Sequence, residues 1–396
     1  LTKTRNEKTG KTRILAVVRH PVGGIRTYLK YTYGQLDRQK YAFTILTVKD
    51  TEGSLIARDL GGMDVRTIEL EHKHLISSLA WRVFLLLFRE KYDLLHSHGF
   101  TAGALSVLGN LLSGIPHVMT SHDVFRNDQF EGARGRLKKK VLAMLFSKID
   151  IIQSVSRDAQ ENLAAFLPSL KKTKTRLVTI ENGIYIPSFI REPRPKGETD
   201  LRGQLGIAPD QVLFGFLGRF MEQKGFVYLI DAVGRLSLDR DFAGRFVVAS
   251  VNDGGYLKEY RTLIERKGLT QYFRFHGFVS DVRAVMSELD ALVMPSLWEA
   301  YGLLAAEALV MGCPVICSDC IGLREVIRQT PAITARQASA DSLADALRRF
   351  MMHADSIRGE TLDFVPVARE RYDVTKTVRK LDMLFTATLA GAHYSR

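Results

Sequence analysis

Cysteine is nearly missing from this sequence. Three of 396 residues are Cys, and Cys313, Cys317 and Cys320 share one short segment. So odd and sparse a set excludes a disulfide-built secreted scaffold and points to a reducing, cytoplasmic setting. The spacing does match an iron–sulfur ligand string. However, Cys313-Pro-Val-Ile-Cys-Ser reads as a buried strand, which does not wrap a cluster, so the thiols are read as core side chains.

Long apolar runs are lacking too. The longest, Leu79–Phe88, is broken by Arg82 and falls far short of the ~20 residues of a spanning helix. The opening residues Leu-Thr-Lys-Thr-Arg-Asn-Glu-Lys have no apolar centre, so no secretory signal is expected there. Negative charge is the minority: Lys and Arg number 56 against 43 Asp and Glu, a net +13. An anionic partner follows, whether nucleotide phosphate, anionic membrane, nucleic acid or acidic polymer. No finger, helix-turn-helix or RNA-binding signature appears, nor aromatics interleaved with the basic runs, so no nucleic-acid partner is expected.

What is present is a full core and a repeated alternation. Hydrophobic residues make up 46% and charged residues 25%, as in ordinary globular proteins, and the length suits two domains. Short β-branched runs alternate with helical patterns, the signature of stacked βαβ units and parallel sheets. In the first half the strands are predicted at 14–18, 43–48, 65–68, 93–97, 117–120, 151–154 and 177–180. Helices are predicted over 102–112, 136–147 and 158–166. Proline-punctuated residues 188–202 read as a linker. Strands resume at 212–217, 246–249, 273–275, 291–294, 315–318 and 332–334. The expected domains are therefore 1–187 and 203–372, two doubly wound Rossmann-like units facing across a cleft. A last helix, 373–396, has the first domain as one place to pack.

The chemistry concentrates after two strands of the second half. Glu299-Ala-Tyr-Gly-Leu-Leu-Ala-Ala-Glu307 follows a strand and opens a helix near Gly302. Helix N-terminal amides bind phosphate, and the two carboxylates suit hydroxyls on either side of it. Alone, Glu299 would read as a loop residue and Glu307 as a surface helix position. Gly218-Arg219-Phe-Met-Glu-Gln-Lys224-Gly225 follows the first strand of that half and puts two cations at the mouth of the same sheet, where they can neutralise a leaving diphosphate. It is neither a Walker A loop nor a dinucleotide fingerprint.

Together these segments resemble the retaining glycosyltransferases of family 4, which have the GT-B fold. The match continues through His276-Gly277-Phe278, Pro295-Ser296 and Gly312-Cys-Pro-Val. The resemblance implies that Arg219 and Lys224 bind the donor diphosphate, that Glu299 contacts the donor sugar and that Glu307 holds the ribose. It also implies that Gly302, Leu303 and Leu304 meet the phosphate and that the base lies against Gly277, Phe278 and Val279. In the first half, Gly23 and Gly24 open a helix and can offer amides to an anion, and His122 matches the family's histidine toward the reacting sugar. His98 and Asn182 are weaker matches, His98 toward the acceptor and Asn182 on the cleft floor. Asn252-Asp-Gly-Gly255 departs from the usual tighter turn, which leaves the donor base open.

A UDP- or GDP-sugar donor and a glycan, lipid-linked or small-molecule acceptor are thus expected, with retention and without a metal or other cofactor. Asp239-Arg-Asp241 has the D-x-D form of metal-dependent transferases but falls in a polar turn at the other end of the sheet. A nucleotide-sugar epimerase on the same architecture and, from a different class, a basic nucleic-acid- or polyanion-binding protein are the alternatives. Residues 134–148 combine Arg134, Arg136, Lys138, Lys139, Lys140 and Lys148 with Leu137, Val141, Leu142, Met144, Leu145 and Phe146. They read equally as a membrane-surface helix and as a core-facing helix with a cationic rim.

Overall fold

The computed structural model describes residues 10–49, 53–71, 75–190, 200–279 and 281–391. The chain divides into two compact units: Leu1–Gly183 with Val374–Arg396, and Ile184–Asp373.

In the first unit the strands are β1 (Thr12–Val18), β2 (Tyr41–Val48), β3 (Val65–Leu70), β4 (Leu94–His98), β5 (His117–Ser121), β6 (Ile151–Ser154) and β7 (Arg176–Thr179). The helices are α1 (Gly24–Tyr33), α2 (Gly53–Asp59), α3 (Leu75–Arg89), α4 (Phe100–Asn110), α5 (Gly132–Phe146) and α6 (Arg157–Phe166). The sheet is parallel throughout, in the order β3-β2-β1-β4-β5-β6-β7. Both of its faces are covered, which is why the strands read as near-continuous apolar runs. Along β1, Ile14, Ala16 and Val18 enter the core under α1, whereas Leu15 and Val17 enter the core under α3 and α4, the two-residue period of a strand.

The second unit begins with α7 (Pro187–Ile190) and α8 (Leu201–Gln204). Its strands are β8 (Val212–Leu217), β9 (Phe246–Val251), β10 (Phe273–His276), β11 (Ala291–Met294), β12 (Val315–Ser318) and β13 (Ile333–Ala335). Among them run α9 (Phe226–Ser237), α10 (Leu257–Arg266), α11 (Val282–Met286), α12 (Leu303–Met311), α13 (Leu323–Val326), α14 (Ala340–Met352) and α15 (Ala354–Arg371). This sheet is also parallel, in the order β10-β9-β8-β11-β12-β13. Its core includes Phe214, Phe226, Phe246 and Phe350.

The final helix, α16 (Val374–Leu389), belongs to the first unit. Its Leu381, Leu384 and Phe385 are fully buried in the core shared with α1. Asp382 accepts hydrogen bonds from Lys40 Nζ (2.6 Å) and Tyr41 Oη (2.7 Å).

The passage out of the first unit comes at Gly183, ahead of the stretch expected to be the linker. Ile184 is already buried in the second unit, and its amide donates to Tyr372 O at 2.6 Å. Phe189 of α7 is buried as well. At the other end of the stretch, the amides of Leu201 and Arg202 each donate to the Glu288 carboxylate at 3.1 Å. The ends of 188–202 are therefore helical and anchored, and 191–199 lie outside the described residues.

Cys317 sits on β12, and all three thiols are buried without a disulfide. Burial pushes Cys313 and Cys320 up to about 12 and Cys317 upward in the same direction. Leu79–Phe88 lies inside α3, and no helix of the described residues is long and apolar enough to cross a membrane.

Candidate functional site

In the second unit strand order reverses between β8 and β11, which are hydrogen-bonded neighbours. The helices that leave these two strands diverge, opening a crevice at the carboxyl ends. The loop after β8 carries Gly218, Arg219 and Lys224, and the loop after β11 carries Pro295 to Gly302. Lys224 Nζ and Glu299 Oε1 are 2.6 Å apart, and Ser296 Oγ donates to the same oxygen at 2.8 Å. Ser318 Oγ, at the end of β12, donates in turn to Ser296 O.

The two loops are fastened through their backbones. Leu297 N donates to Gln223 O at 2.8 Å, and Gln223 Nε2 to Trp298 O at 2.9 Å. Gly225 makes the approach possible: its φ is +63°, and a Cβ there would lie 1.9 Å from Pro295 O. Lys224 and Glu299 are thus held by the loop framework as well as by each other.

Arg219 is exposed and has no hydrogen-bond or ion-pair partner among the described residues. Glu299 and Glu307 are 8% and 4% exposed, so neither is the surface carboxylate that an isolated spacing suggests. Glu307 lies on α12, a helix whose other residues from Ala305 to Val310 are apolar and buried. A carboxylate in such surroundings is costly unless polar groups meet it. Gly302 caps α12 at φ +99°, and the first backbone bond of the helix runs from Ala305 N to Gly302 O (3.0 Å). The amides of Leu303 and Leu304 precede that bond and carry the positive end of the helix.

Around this centre, Phe278 is 49% exposed and Val279 half-buried, both just beyond β10. Asn252 adopts φ +132°, and Phe220 N donates to Asp253 O at 3.2 Å. The atypical Asn252–Gly255 turn is therefore tied to the loop that carries Arg219. Asp239 and Asp241 precede β9, at the opposite end of the strands, and Asp239 pairs with Arg348 at 3.5 Å.

In the first unit the strand order reverses between β1 and β4. Gly23 caps α1 at φ +56°, and both Gly23 and Gly24 are exposed. His98 ends β4 and His122 follows β5. The two rings are stacked, and His98 Nδ1 lies 3.1 Å from His122 Nε2. Tyr33 Oη of α1 lies 2.8 Å from His98 Nε2 and 2.6 Å from His96 Nδ1. Tyr28 meets the His122 ring edge-on. Burial holds His96 and His98 well below the usual imidazole range and His122 down to about 3, so all three rings are neutral at pH 7. Asn182 is buried, and its Oδ1 has no partner among the described residues.

Comparison with known proteins decides the family. The profile described as Glycosyltransferase Family 4 matches residues 22–186, and that described as Glycosyl transferases group 1 matches 197–358. This chain belongs to the family 4 glycosyltransferases.

An uncharacterised glycosyltransferase of Methanocaldococcus jannaschii is 24% identical over 347 residues, covering 83% of this chain and 85% of that one. The 2-deoxystreptamine glucosyltransferase of Streptomyces kanamyceticus is 34% identical over 143 residues, 35% of this chain and 36% of that one. Anabaena HepE, crystallised with UDP-glucose, superposes with a TM-score of 0.79 at 19% identity, covering 95% of this chain and 99% of that one. Its likeness is one of fold: two parallel-sheet Rossmann-like domains, matching GT-B glycosyltransferase structures.

Within this glycosyltransferase, Gly218, Arg219 and Lys224 lie on the loop after β8, and Glu299, Gly302, Leu303, Leu304 and Glu307 on the loop and helix that follow β11. His98, expected toward an acceptor, is 2% exposed with both ring nitrogens engaged. Sequence reasoning placed Ser296 in the family match but gave it no role, although its hydroxyl seats Glu299; it missed Ser318, which holds Ser296, and it missed Tyr33 and His96. The signal for His96 was there, because His96 and His98 are two apart on one strand and so share a face.

Proposed function

We propose that this glycosyltransferase takes its sugar from a nucleoside-diphosphate donor, UDP- or GDP-linked, bound by the second unit. The observation that carries the reading is the Lys224–Glu299 pair at the break in strand order, with the exposed Arg219 on the loop of Lys224 and the first amides of α12 following the loop of Glu299. Arg219, Lys224 and those amides stabilise the leaving diphosphate, so that this chain's own cations supply the charge a metal would otherwise bring. Glu299 orients the donor sugar, Glu307 holds the ribose, and Phe278 and Val279 border the base. In the first unit Gly23 and Gly24 offer amides to an anion, and His122 is the residue that meets a sugar hydroxyl. Transfer proceeds with retention to a glycan, lipid-linked or small-molecule hydroxyl. The complex of HepE with UDP-glucose favours UDP as the first donor to test.

The enzyme works in the cytoplasm and docks on the anionic inner face of the membrane. Support comes from α5, whose Leu142, Ala143, Leu145 and Phe146 pack inward while Leu137, Val141 and Met144 point to solvent among Arg136, Lys138 and Lys140. Exposed apolar side chains interspersed with cations match an anionic lipid surface. Co-sedimentation with anionic vesicles at low salt, lost in Leu137→Glu/Met144→Glu, tests this; equal binding by the variant refutes it.

For the reaction itself, melting temperature is followed against a panel of nucleotides and nucleotide sugars. A ligand at 100 times its Kd adds about 2.7 kcal/mol of stability. A shift with UDP or GDP compounds that vanishes in Lys224→Ala supports the site; no shift with any of them overturns it. Release of nucleoside diphosphate only with acceptor present separates a transferase from an epimerase. The anomeric configuration of the product tests retention, and turnover in EDTA tests independence from metal.

A further inference from the structure

The hydrogen bonds behind His122 continue past His96. His96 Nε2 lies 2.8 Å from Thr120 Oγ1, which donates to Gln153 Oε1 at 2.7 Å. Gln153 Nε2 donates to Ser154 O (3.1 Å) and Ile180 O (2.9 Å). Six side chains therefore form one line: Gln153, Thr120, His96, Tyr33, His98 and His122. The first four are fully buried, His98 is 2% exposed, and His122 is half-buried at the open end.

Every link in that line has a forced direction. Both amide hydrogens of Gln153 go to backbone carbonyls, so its oxygen faces Thr120 and can only accept. Thr120 spends its single proton there, so toward His96 it accepts, and His96 Nε2 must carry hydrogen. A neutral imidazole has one N–H, so His96 Nδ1 is bare and accepts from Tyr33. Tyr33 has then used its only proton and accepts from His98 Nε2–H. His98 Nδ1 is bare in turn and accepts from His122 Nε2–H. The hydrogen bonds thus reduce to one arrangement, because reversing any link sets two lone pairs or two hydrogens against each other in a buried space.

We propose that this line fixes the tautomer of His122, holding hydrogen on Nε2 and presenting a bare, hydrogen-accepting Nδ1 to a hydroxyl of the reacting sugar. Nδ1 has no protein partner among the described residues. Gln153, Thr120, His96, Tyr33 and His98 are positioning residues that act through His122. Because the inner end stops at an amide locked by two carbonyls, the line orients a ring and does not conduct protons away. The role toward sugar rests on the function proposed above for His122; the fixed tautomer does not.

The test is nitrogen NMR of the full chain with 15N-labelled histidine, His122 being assigned by difference from His122→Gln. In the unaltered protein His122 is expected with hydrogen on Nε2. Thr120→Val removes the acceptor for His96 Nε2–H, which favours reversal of the whole line and moves hydrogen to His122 Nδ1. Tyr33→Phe cuts the line and mixes the two forms of His122. Ser97→Ala, between His96 and His98 on β4, removes only the partner of His117 on β5 and leaves His122 unchanged. Should Thr120→Val fail to fold, Tyr33→Phe carries the same readout. Hydrogen on Nδ1 in the unaltered protein, or no change in folded Thr120→Val or Tyr33→Phe, overturns the proposal. Turnover with donor and acceptor should fall roughly ten-fold in Thr120→Val, about the worth of one hydrogen bond to the reacting sugar, with UDP or GDP binding to the second unit unchanged. A tautomer that switches while turnover stays constant upholds the line and overturns only the role assigned to His122.

Discussion

Lys224 Nζ and Glu299 Oε1 meet at 2.6 Å although their loops leave different strands, and this contact joins the two edges of the second unit's crevice. The lysine side chain is 25% exposed and the glutamate 10%. Removing the lysine leaves a nearly buried carboxylate with Ser296 as its remaining side-chain donor. Lys224→Met should therefore cost about 1–3 kcal/mol of stability, and the double variant Lys224→Met/Glu299→Gln should cost less than the single one. A denaturant-based mutant cycle reads this directly. In turnover, Lys224→Ala should lose roughly 2–4 kcal/mol of transition-state stabilisation, about 30- to 1000-fold. Near-full transfer by Lys224→Ala would remove Lys224 from the mechanism.

Gly225 stands where the two loops come closest. A side chain there combines left-handed backbone with a Cβ placed 1.9 Å from Pro295 O. Gly225→Ala should destabilise by about 1–3 kcal/mol and weaken nucleotide-sugar binding, because Lys224 precedes it directly. Gly244→Ala is the control: it has a similar φ of +75° but open space at Cβ. Equal donor affinity in Gly225→Ala and the unaltered protein would show that the loop contact does not set the site.

Much of this arrangement was legible in the sequence. Alternating apolar runs gave the strand positions to within a few residues, because both sheets are parallel and buried on both faces, which makes each strand a short continuous apolar run. Arg219, Lys224, Glu299 and Glu307 stood out through their places after strands. Less legible were features made by long-range packing. That Glu307 is buried follows from what surrounds α12, and residue type alone pointed to a surface. The apolar residues of α5 divide between core and solvent, a distinction its near-uniform apolar spread could not make. The line behind His122 depends on Tyr33 of α1 and Gln153 of β6, which only the sheet order brings to the same histidines.

The neutral histidines make the first unit sensitive to acid. His96, His98, His117 and His122 have pKa values depressed by burial, with His117 and His122 held down to about 3. In the unfolded chain each returns to about 6.5. Below that value the unfolded state binds more protons, so stability is complete above pH 6.5 and declines as pH falls toward the folded values. Each histidine contributes up to about 1.4 kcal/mol per pH unit in that window. Melting temperature should drop steeply between pH 6.5 and 5, and His117→Gln, outside the line to His122, should lessen the slope. A melting temperature flat across that range would mean that these rings take up protons while still folded.

Deleting the chain's last helix should damage the unit at the opposite end of the sequence. Phe385 of α16 is fully buried against Tyr41 and His96, and Asp382 is held by Lys40 and Tyr41. Phe385→Ala should cost about 3–5 kcal/mol, as for large-to-small changes in a packed core. Asp382→Asn should cost about 1 kcal/mol or less, because the Lys40–Asp382 pair is a third exposed on each side and surface pairs contribute little. The loss should fall on the first unit alone. If the units melt separately, Phe385→Ala lowers one transition and leaves the other, the one raised by UDP or GDP, in place. Should the nucleotide-responsive transition fall by the same amount, the units unfold together and α16 stabilises both.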